Sequence, residues 1–399
     1  MRILDVSPRV TVPLSSGSRI RIHNLLSRLS GSHEIRQFSQ TRSRDLRSTG
    51  FATDVQITPS YLEHRHRNPV ATPLCEAMER SGFGVPILCG YPLRAARPRR
   101  LREWMAWADV VIVEFPWQYA CCRAMSKGRP LVLSTHNVQA AKARSDGRGG
   151  VARRAWSGWT EALERDAVRG ADMVLAVRPE DVEEFARLYG IDRAKTRVTP
   201  NGADVRLYHP ADEAARGLLR ARLGLPAGPL VLFPAAHRQT PILAGLAWVR
   251  RVAALLPGVT FLITGAVEER PMREGNLIFT GFVDEYEAYV RSADCMLCPI
   301  DRGGGTKLKV IEAAAAGLPI VAFPESVQGT MFRDEDHLLV AGKTPAALAD
   351  SLARILRDPD TAGRLGARAR AHAVEHYDWD VIARTMETEL MRLVGAWAP

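Results

Sequence analysis

Short runs of Val, Ile and Leu recur along the chain and alternate with segments of helical spacing. Ile22, Leu25, Leu26 and Leu29 follow an i, i+3, i+4, i+7 pattern, which predicts an amphipathic helix. The continuous apolar run after Asp109 is typical of a strand buried on both faces of a parallel sheet. Strands are predicted at 2–6, 109–115, about 130–135, 172–177, 229–234, 259–264, 277–281, 294–299 and 319–323. This alternation predicts a doubly wound α/β fold in two Rossmann-like halves.

The segment 199–210 interrupts the pattern with two prolines, an Asn-Gly turn and little periodicity, so it is the predicted boundary between the halves. We predict an N-terminal domain over 1–203, a C-terminal domain over 204–376, and a last helix over 377–399 that crosses back to the first domain. Between 345 and 396 the chain is helical in pattern, and Asp358-Pro359 is expected to end one helix and begin another.

The charge balance favours anionic partners. There are 54 basic and 44 acidic residues, a formal net charge of +10, which suits phosphorylated ligands, a membrane surface or nucleic acid. No base-reading motif accompanies the charge, so nucleic acid is not expected. The segment 94–107 combines arginines with Trp104 and Trp107. A solvated face is the favoured interpretation, and a peripheral contact with a membrane is the alternative.

The remaining composition predicts a cytoplasmic protein without a metal site. No signal peptide is evident, and no apolar run approaches the roughly 20 residues that span a bilayer. Cys295 and Cys298 fall in a predicted strand, where i and i+3 face opposite sides and do not chelate one ion. The pairs Asp334/Asp336 and Asp378/Asp380 have D-x-D spacing, but in predicted helical surroundings they are interpreted as solvated or capping charges.

The segment 299–319 carries the clearest chemistry. Three glycines, Gly303–Gly305, follow a predicted strand, and Thr306 is expected to cap a helix that runs to about Ala316. Glycine amides that converge without Cβ obstruction, together with a helix start that carries about half a positive charge, form a phosphate site. Lys307 and Lys309 would oppose the helix dipole in the first turn, an unfavourable placement unless an anion fills the site.

Glu312 lies further along the same predicted helix among apolar residues. A carboxylate in such surroundings needs a hydrogen-bonding partner, and a ribose diol is the partner that we predict.

Five segments, in order, resemble the retaining GT-B glycosyltransferases of family 4, in a subgroup with a Gly-Gly-Gly-Thr-Lys-Leu-Lys donor loop. They resemble the first N-domain loop, the strand-end histidine, the interdomain element, the loop that holds the nucleotide base and the donor signature. The segments are 7–9 with 16–19, 134–138, 198–204, 280–284 and 303–319. The resemblance covers residues 1 to about 380. It implies two Rossmann-like βαβ domains with parallel sheets that face a central cleft, and a C-terminal helix that packs back on the N-domain.

The resemblance implies a donor that is a UDP-, GDP- or dTDP-linked sugar, with no metal and no further cofactor. The acceptor would be a hydroxyl of a glycan, glycolipid or secondary metabolite, and transfer would retain configuration with the leaving phosphate oxygen as base. His136 and Lys307 are the expected catalytic residues. The expected donor-binding residues are Gly17, Arg238, Gly281, Phe282, Val283, Asp301, Gly303, Gly304, Gly305, Thr306, Lys307, Leu308 and Glu312.

The chain departs from the family pattern at two places. Glu312 matches the second Glu of the Glu-x7-Glu motif, whereas the first falls at Gly304, for which Asp301 is a candidate substitute. The family's basic pair is matched only by His237 and Arg238. Two alternatives therefore stay open: a nucleotide-sugar-binding partner protein without transferase activity, and an epimerase or phosphorylase on the same fold.

Overall fold

The computed structural model describes residues 1–14, 16–42, 45, 53–69, 71–80, 93–145, 151–236, 238, 240–302 and 305–397. The chain divides into two compact units. The first comprises Met1–Pro200 with Ile382–Pro399, and the second comprises Asn201–Val381.

The first unit is built on an eight-stranded sheet in the order β3-β4-β2-β1-β5-β6-β7-β8. Its neighbouring strands pair in parallel except β3 with β4 at the edge. The strands are β1 Arg2–Ser7, β2 Glu34–Gln40, β3 Asp54–Thr58, β4 Tyr61–His66, β5 Val110–Glu114, β6 Leu131–Ser134, β7 Met173–Ala176 and β8 Thr196–Val198. The helices are α1 Gly17–Leu29, α2 Ala71–Arg80, α3 Arg99–Trp107, α4 Tyr119–Met125, α5 Gln139–Ser145, α6 Val151–Gly170 and α7 Pro179–Tyr189.

The second unit is built on a seven-stranded sheet in the order β11-β12-β10-β9-β13-β14-β15, parallel except for β11 with β12. The strands are β9 Leu230–Pro234, β10 Thr260–Thr264, β11 Met272–Glu274, β12 Leu277–Phe279, β13 Cys295–Cys298, β14 Ile320–Ala322 and β15 Leu339–Val340. The helices are α8 Glu213–Leu223, α9 Thr240–Leu255, α10 Tyr286–Ser292, α11 Leu308–Ala315, α12 Pro324–Val327, α13 Pro345–Arg357, α14 Pro359–His376 and α15 Trp379–Trp397. Residues of α15 from Ile382 onward belong to the first unit.

Every predicted strand is present, and the α/β class is confirmed. The pattern missed the strands with polar residues or very short spans, namely β2, β3, β4, β8, β11 and β15. In β4, Glu63 and Arg65 are almost completely buried and form an ion pair, with Nε of Arg65 3.0 Å from Oε2 of Glu63. A strand whose inward side chains are charged lacks the apolar signal on which the prediction depended.

Two local predictions at the C-terminal side fared differently. Asp358 does separate two helices, because its carboxylate accepts a 3.0 Å hydrogen bond from the Thr361 amide at the start of α14. The predicted helical surroundings of Asp334 and Asp336 are wrong: the two residues lie in a turn before β15. Asp334 accepts from the Val340 amide, and Asp336 pairs with Arg333 and Arg368, so both carboxylates stabilise local structure.

The aromatic residues of 94–107 lie beneath arginine side chains. Trp104 is buried, and the guanidinium of Arg36 lies 4.0 Å from the centroid of the Trp107 ring. Arg100 forms a 2.6 Å ion pair with Asp54. Among the helices that the structure describes, none is long and apolar enough to cross a membrane.

Candidate functional site

The second unit has a topological switch point between β9 and β13. The chain proceeds from β9 to β10 and β12 on one side of the sheet, then crosses to β13, β14 and β15 on the other. The loops that follow β9 and β13 therefore leave the same sheet edge in opposite directions. Ligands of open α/β sheets bind in the crevice at such a point, outside the carboxyl ends of the strands.

The glycine loop leaves β13 at this crevice. Its start is held by Ser326, whose hydroxyl receives a 3.1 Å hydrogen bond from the Ile300 amide and donates to the Cys298 carbonyl at 2.6 Å. Gly305 has a φ of +78°, a conformation that favours glycine. Gly303 and Gly304 lie outside the described residues. Ser326 carried no sequence signal, because a serine in a short helix after a strand is unremarkable as a pattern.

The helix after the loop begins one residue later than predicted. Helix α11 runs from Leu308 to Ala315, and Lys307, not Thr306, is the N-cap residue, without a capping bond from its side chain. The Thr306 hydroxyl instead accepts a 3.1 Å hydrogen bond from the Asn201 side chain. Thr306 thus ties the loop to the boundary segment, and the side chain of Lys307 does not cap the first turn of α11.

The two lysines of the loop have different surroundings. The Lys307 ammonium donates to the Gly305 carbonyl at 3.2 Å, so it lies beside the last glycine of the loop. The Lys309 ammonium donates to the Pro234 carbonyl at 2.7 Å and thereby joins α11 to the end of β9. Burial lowers the pKa of Lys309. The expectation that both lysines sharpen a phosphate site therefore suits the placement of Lys307, whereas Lys309 supports the sheet edge.

Glu312 interacts with two side chains of the second unit. The Tyr208 hydroxyl donates a hydrogen bond to its carboxylate, and Lys309 lies one turn earlier on the same helix. Burial nevertheless raises the pKa of Glu312 to about 7, because these partners offset only part of the desolvation. Such a carboxylate is a strong acceptor for additional hydroxyl donors.

Tyr208 was not singled out from the sequence, since it lies in the aperiodic boundary segment. Arg370 of α14 holds this segment in place: its guanidinium donates to the carbonyls of Val205 at 3.1 Å, Tyr208 at 2.6 Å and Ala315 at the end of α11. One side chain thereby fixes Tyr208 and the helix of Glu312 relative to each other.

The expected base-holding loop follows β12 on the same sheet edge. Gly281 has a φ of +69°, and its carbonyl accepts a 2.9 Å hydrogen bond from the Gly265 amide at the end of β10. A Cβ at Gly265 would lie 2.6 Å from the Ala235 carbonyl oxygen, so only glycine fits there. The next residue, Phe282, is 72% exposed, while Val283 is half-buried. An exposed aromatic ring beside the crevice offers a stacking face.

Arg238 and Asp301, the candidates for the family residues that the chain lacks, follow strands β9 and β13 at the crevice. Arg238 follows β9 and is mostly exposed, and its guanidinium donates to the Val267 carbonyl at 2.9 Å. Asp301 follows β13 and pairs with the neighbouring Arg302 at 3.1 Å. His237 lies outside the described residues.

In the first unit, Gly17 is the first residue of α1, and Ser16 before it makes no side-chain cap. Gly17 is exposed, whereas the nearby Arg19 is buried in a 2.7 Å ion pair with Asp45.

His136 lies just beyond β6, at the carboxyl edge of the first sheet. Its Nε2 is 2.6 Å from the carboxylate of Glu114, the last residue of the adjacent strand β5. The Phe115 ring stacks on the imidazole with centroids 4.1 Å apart and planes 11° apart. Burial lowers the pKa of His136 in spite of Glu114. Glu114 and Phe115 were missed, although a carboxylate at the end of a predicted strand next to that of His136 was a usable signal.

Comparison with known proteins accords with this geometry. Residues 16–207 match the family described as Glycosyltransferase Family 4, and residues 229–358 match the family described as Glycosyl transferases group 1. A D-inositol 3-phosphate glycosyltransferase of Nocardia farcinica is 31% identical over 337 residues, which cover 77% of this chain and 71% of that protein. A GDP-mannose-dependent alpha-(1-6)-phosphatidylinositol monomannoside mannosyltransferase of Mycobacterium tuberculosis is 31% identical over 242 residues, 54% of this chain and 60% of that protein.

Solved structures share the architecture. Sucrose-phosphate synthase from Thermosynechococcus elongatus superposes with a TM-score of 0.76 at 19% identity, covering 99% of this chain and 100% of the other. The Anabaena protein HepE in complex with UDP-glucose gives 0.68 at 15% identity, covering 98% and 100%. The fold is that of the GT-B glycosyltransferases. The chain belongs to glycosyltransferase family 4, and the protein is a glycosyltransferase.

Proposed function

We propose that the protein transfers a sugar from a nucleotide-sugar donor, held by the second unit, to an acceptor hydroxyl, with retention of configuration and without a metal ion. The observation that carries the proposal is the placement of Glu312. Its carboxylate lies on the helix that follows the glycine loop, beside a topological switch point, and is partly desolvated.

Each part of the crevice suits one part of the donor. Phe282 and Gly281 contact the nucleotide base, and Glu312 accepts hydrogen bonds from the ribose hydroxyls. Lys307, the glycine loop and the amides at the start of α11 bind the diphosphate, because these groups bring positive charge and N–H donors to one point.

The chemistry follows from where charge develops. Cleavage of the sugar–phosphate bond places negative charge on the departing diphosphate, which Lys307 and the helix amides stabilise. The acceptor hydroxyl attacks from the same face, and its proton passes to the departing phosphate oxygen. His136 serves the reaction as a hydrogen-bonding group of the first unit, which binds the acceptor.

The names of the related proteins suggest which donors and acceptors to test first. HepE binds UDP-glucose, one relative is named for GDP-mannose and another for D-inositol 3-phosphate. These names favour UDP- and GDP-linked donors for the first trials, and the proposal also includes dTDP-linked donors. The acceptor is a hydroxyl of a glycan, glycolipid or secondary metabolite, and the reaction takes place in the cytoplasm.

Calorimetry with UDP, GDP, ADP and dTDP tests the donor site. We expect saturable binding of one nucleotide, and a loss of at least about tenfold in affinity in Lys307→Ala and in Glu312→Ala, since each removes a charge-assisted hydrogen bond. Lys343→Ala is the matched control, because that lysine has no role in the proposed donor site and pairs with Glu325. Wild-type affinity in both site variants would overturn the assignment.

A transfer assay separates the remaining alternatives. The sugar-linked form of the nucleotide that binds in calorimetry is incubated with and without D-inositol 3-phosphate and a panel of polyol and glycolipid acceptors. Acceptor-dependent release of the nucleotide with an α-linked product from an α-linked donor supports the retaining transferase. Conversion of the donor without any acceptor indicates an epimerase, and tight binding without turnover indicates a binding partner.

A further inference from the structure

The side chain of His136 is held on its edge and on its face by two consecutive residues. Glu114 ends β5 and lies 2.6 Å from Nε2, and Phe115 follows it and stacks on the ring at 4.1 Å. The His136 side chain is only 8% exposed and that of Glu114 only 4%. The ring orientation is thus determined by β5 as much as by the strand that carries the histidine.

The hydrogen bond to Glu114 decides the position of the ring proton. A carboxylate oxygen accepts hydrogen bonds from ring N–H groups, so the 2.6 Å contact points to the proton on Nε2. Burial, together with the positive charges of Arg21 on α1 and Arg9 after β1, outweighs Glu114 and lowers the pKa of His136. The imidazole is therefore neutral at pH 7, with a lone pair on Nδ1.

Phe115 occupies a backbone conformation that side chains rarely adopt. Its φ is 68° and its ψ is 158°, a region that is essentially reserved for glycine. Its amide donates to the Ser134 carbonyl at 3.0 Å, which binds the end of β5 to the end of β6. Strain of this kind persists only where the surrounding structure imposes it. The strained backbone places the aromatic ring against His136.

Asp5 interacts with Glu114 from β1, the strand on the other side of β5 from β6. It is fully buried, and the Gln37 side chain donates to its Oδ1 at 2.9 Å. Burial and the carboxylates of Glu114 and Glu63 raise the pKa of Asp5 well above its ordinary value. A side-chain hydrogen bond between the carboxyl groups of Asp5 and Glu114 contributes to this shift. The chain of hydrogen bonds runs from Asp5 through Glu114 to His136.

We propose that Glu114 and Phe115 are positioning residues for His136: Glu114 fixes the tautomer with the proton on Nε2, and Phe115 fixes the ring plane. Nδ1 is thereby presented as an acceptor for a substrate hydroxyl. The inference rests on the proposed function only in assigning His136 a contact with substrate. The tautomer itself is a property of the free protein.

Nitrogen-15 spectra of the histidine rings test the tautomer without any substrate, with the His136 signals assigned by their loss in His136→Gln. Wild-type protein is expected to show a protonated Nε2 and an unprotonated Nδ1 at pH 7. Glu114→Gln is expected to give a mixture of tautomers, because an amide both donates and accepts. Asp181→Asn is the control, since it removes another buried carboxylate of the same unit that pairs with Arg178. An unchanged His136 spectrum in Glu114→Gln would overturn the inference.

Steady-state kinetics test how Glu114 affects the reaction. They use the donor and acceptor that the calorimetry and the transfer assay identify. Glu114→Gln is expected to lower kcat at least about tenfold with little change in KM for the donor. In a His136→Ala background the same substitution is expected to have no further effect, because a positioning residue acts only through its target. An equal loss in both backgrounds would contradict this role.

Phe115→Gly provides a second variant if Glu114→Gln does not fold, because glycine accepts the backbone conformation at this position. Its expected signature is a lower kcat and broadened His136 ring signals, whereas wild-type spectra and kcat would contradict the role of Phe115. If no transfer is detected with any donor, the proposed function fails while the spectra still decide the tautomer.

Discussion

Glu312 combines two requirements that oppose each other. Its carboxylate is partly removed from water on an apolar helix, which raises its pKa to about 7, and Lys309 and Tyr208 offset part of the cost. A fully solvated acid would bind ribose hydroxyls weakly, since water competes for the same hydrogen bonds. The residue therefore lowers the stability of the unit in exchange for a receptive acceptor.

Replacing this acid by an amide should stabilise the protein in a pH-dependent way. The pKa of Glu312 is about 7 in the folded state and near its ordinary 4.5 when unfolded, so ionisation costs stability as pH rises between these values. Glu312→Gln is expected to raise the free energy of unfolding by about 2–3 kcal/mol at pH 8 and by less than about 1 kcal/mol at pH 5. Urea unfolding at the two pH values measures the difference. An equal gain at both pH values would show that the carboxylate is not desolvated.

At the scale of elements, α11 is positioned by close contacts of its backbone. Its first residues are tied to β9 by Lys309, and Gly317 just beyond its end touches α14 at Gly366. Gly317 has a φ of +66°, which ends the helix in the left-handed region. The helix of Glu312 is thus located by groups at both ends as well as by its apolar residues, which are buried in the core of the second unit.

The contact between these two glycines should not tolerate a methyl group. A Cβ at Gly366 would lie 2.3 Å from the Gly317 carbonyl oxygen, a backbone atom with little freedom to move. Gly366→Ala is expected to destabilise the protein by about 1–3 kcal/mol, as overpacking does, and to weaken nucleotide binding through displacement of α11.

Gly363→Ala on the same helix is the matched control. No atom lies within 4 Å of a Cβ at that position, so the substitution should be neutral or add about 0.5–1 kcal/mol through helix propensity. Urea unfolding of both variants, followed by calorimetry with the nucleotide that binds, provides the comparison. Similar stability of the two variants would contradict the close contact.

At the scale of the whole molecule, the end of the chain completes the first unit. Met386 and Leu390 of α15 are buried, and Glu389 forms a 2.6 Å ion pair with Arg197 after the start of β8. The first unit is therefore discontinuous in sequence, and residues nearly two hundred positions apart share its core and surface.

Loss of the buried side chain of Leu390 should act on the first unit. Leu390→Ala leaves a cavity and is expected to cost about 2–5 kcal/mol, seen as faster amide hydrogen exchange in β6 to β8. The neighbouring Met391 is 55% exposed, so Met391→Ala should change stability by less than about 0.5 kcal/mol. Nucleotide affinity of the second unit should be unchanged in both. Protection equal to wild type in Leu390→Ala would show that α15 is not part of the unit.

The pattern of the sequence was sufficient for the strands that are apolar on both faces, because burial of the whole strand leaves a continuous signal. It failed for β4, where Glu63 and Arg65 satisfy each other inside the protein, since a charge is buried only when its partner is supplied from the fold. It also placed the start of α11 too early, because Thr306 has its hydroxyl bonded to Asn201, a residue distant in sequence.

The local chemistry of this protein was determined by the sequence itself: two α/β units, a glycine loop before a helix, and the order of Lys307 and Glu312 on that segment. These are properties of neighbouring residues and of their periodicity. Only the tertiary structure decided the raised pKa of Glu312 and the hydrogen-bond partner of Lys309. The same is true of the contacts that Glu114 and Phe115 make with His136. Such features arise where strands and helices that are distant in sequence pack together. Desolvation and hydrogen bonding at those contacts depend on groups that the local sequence does not contain.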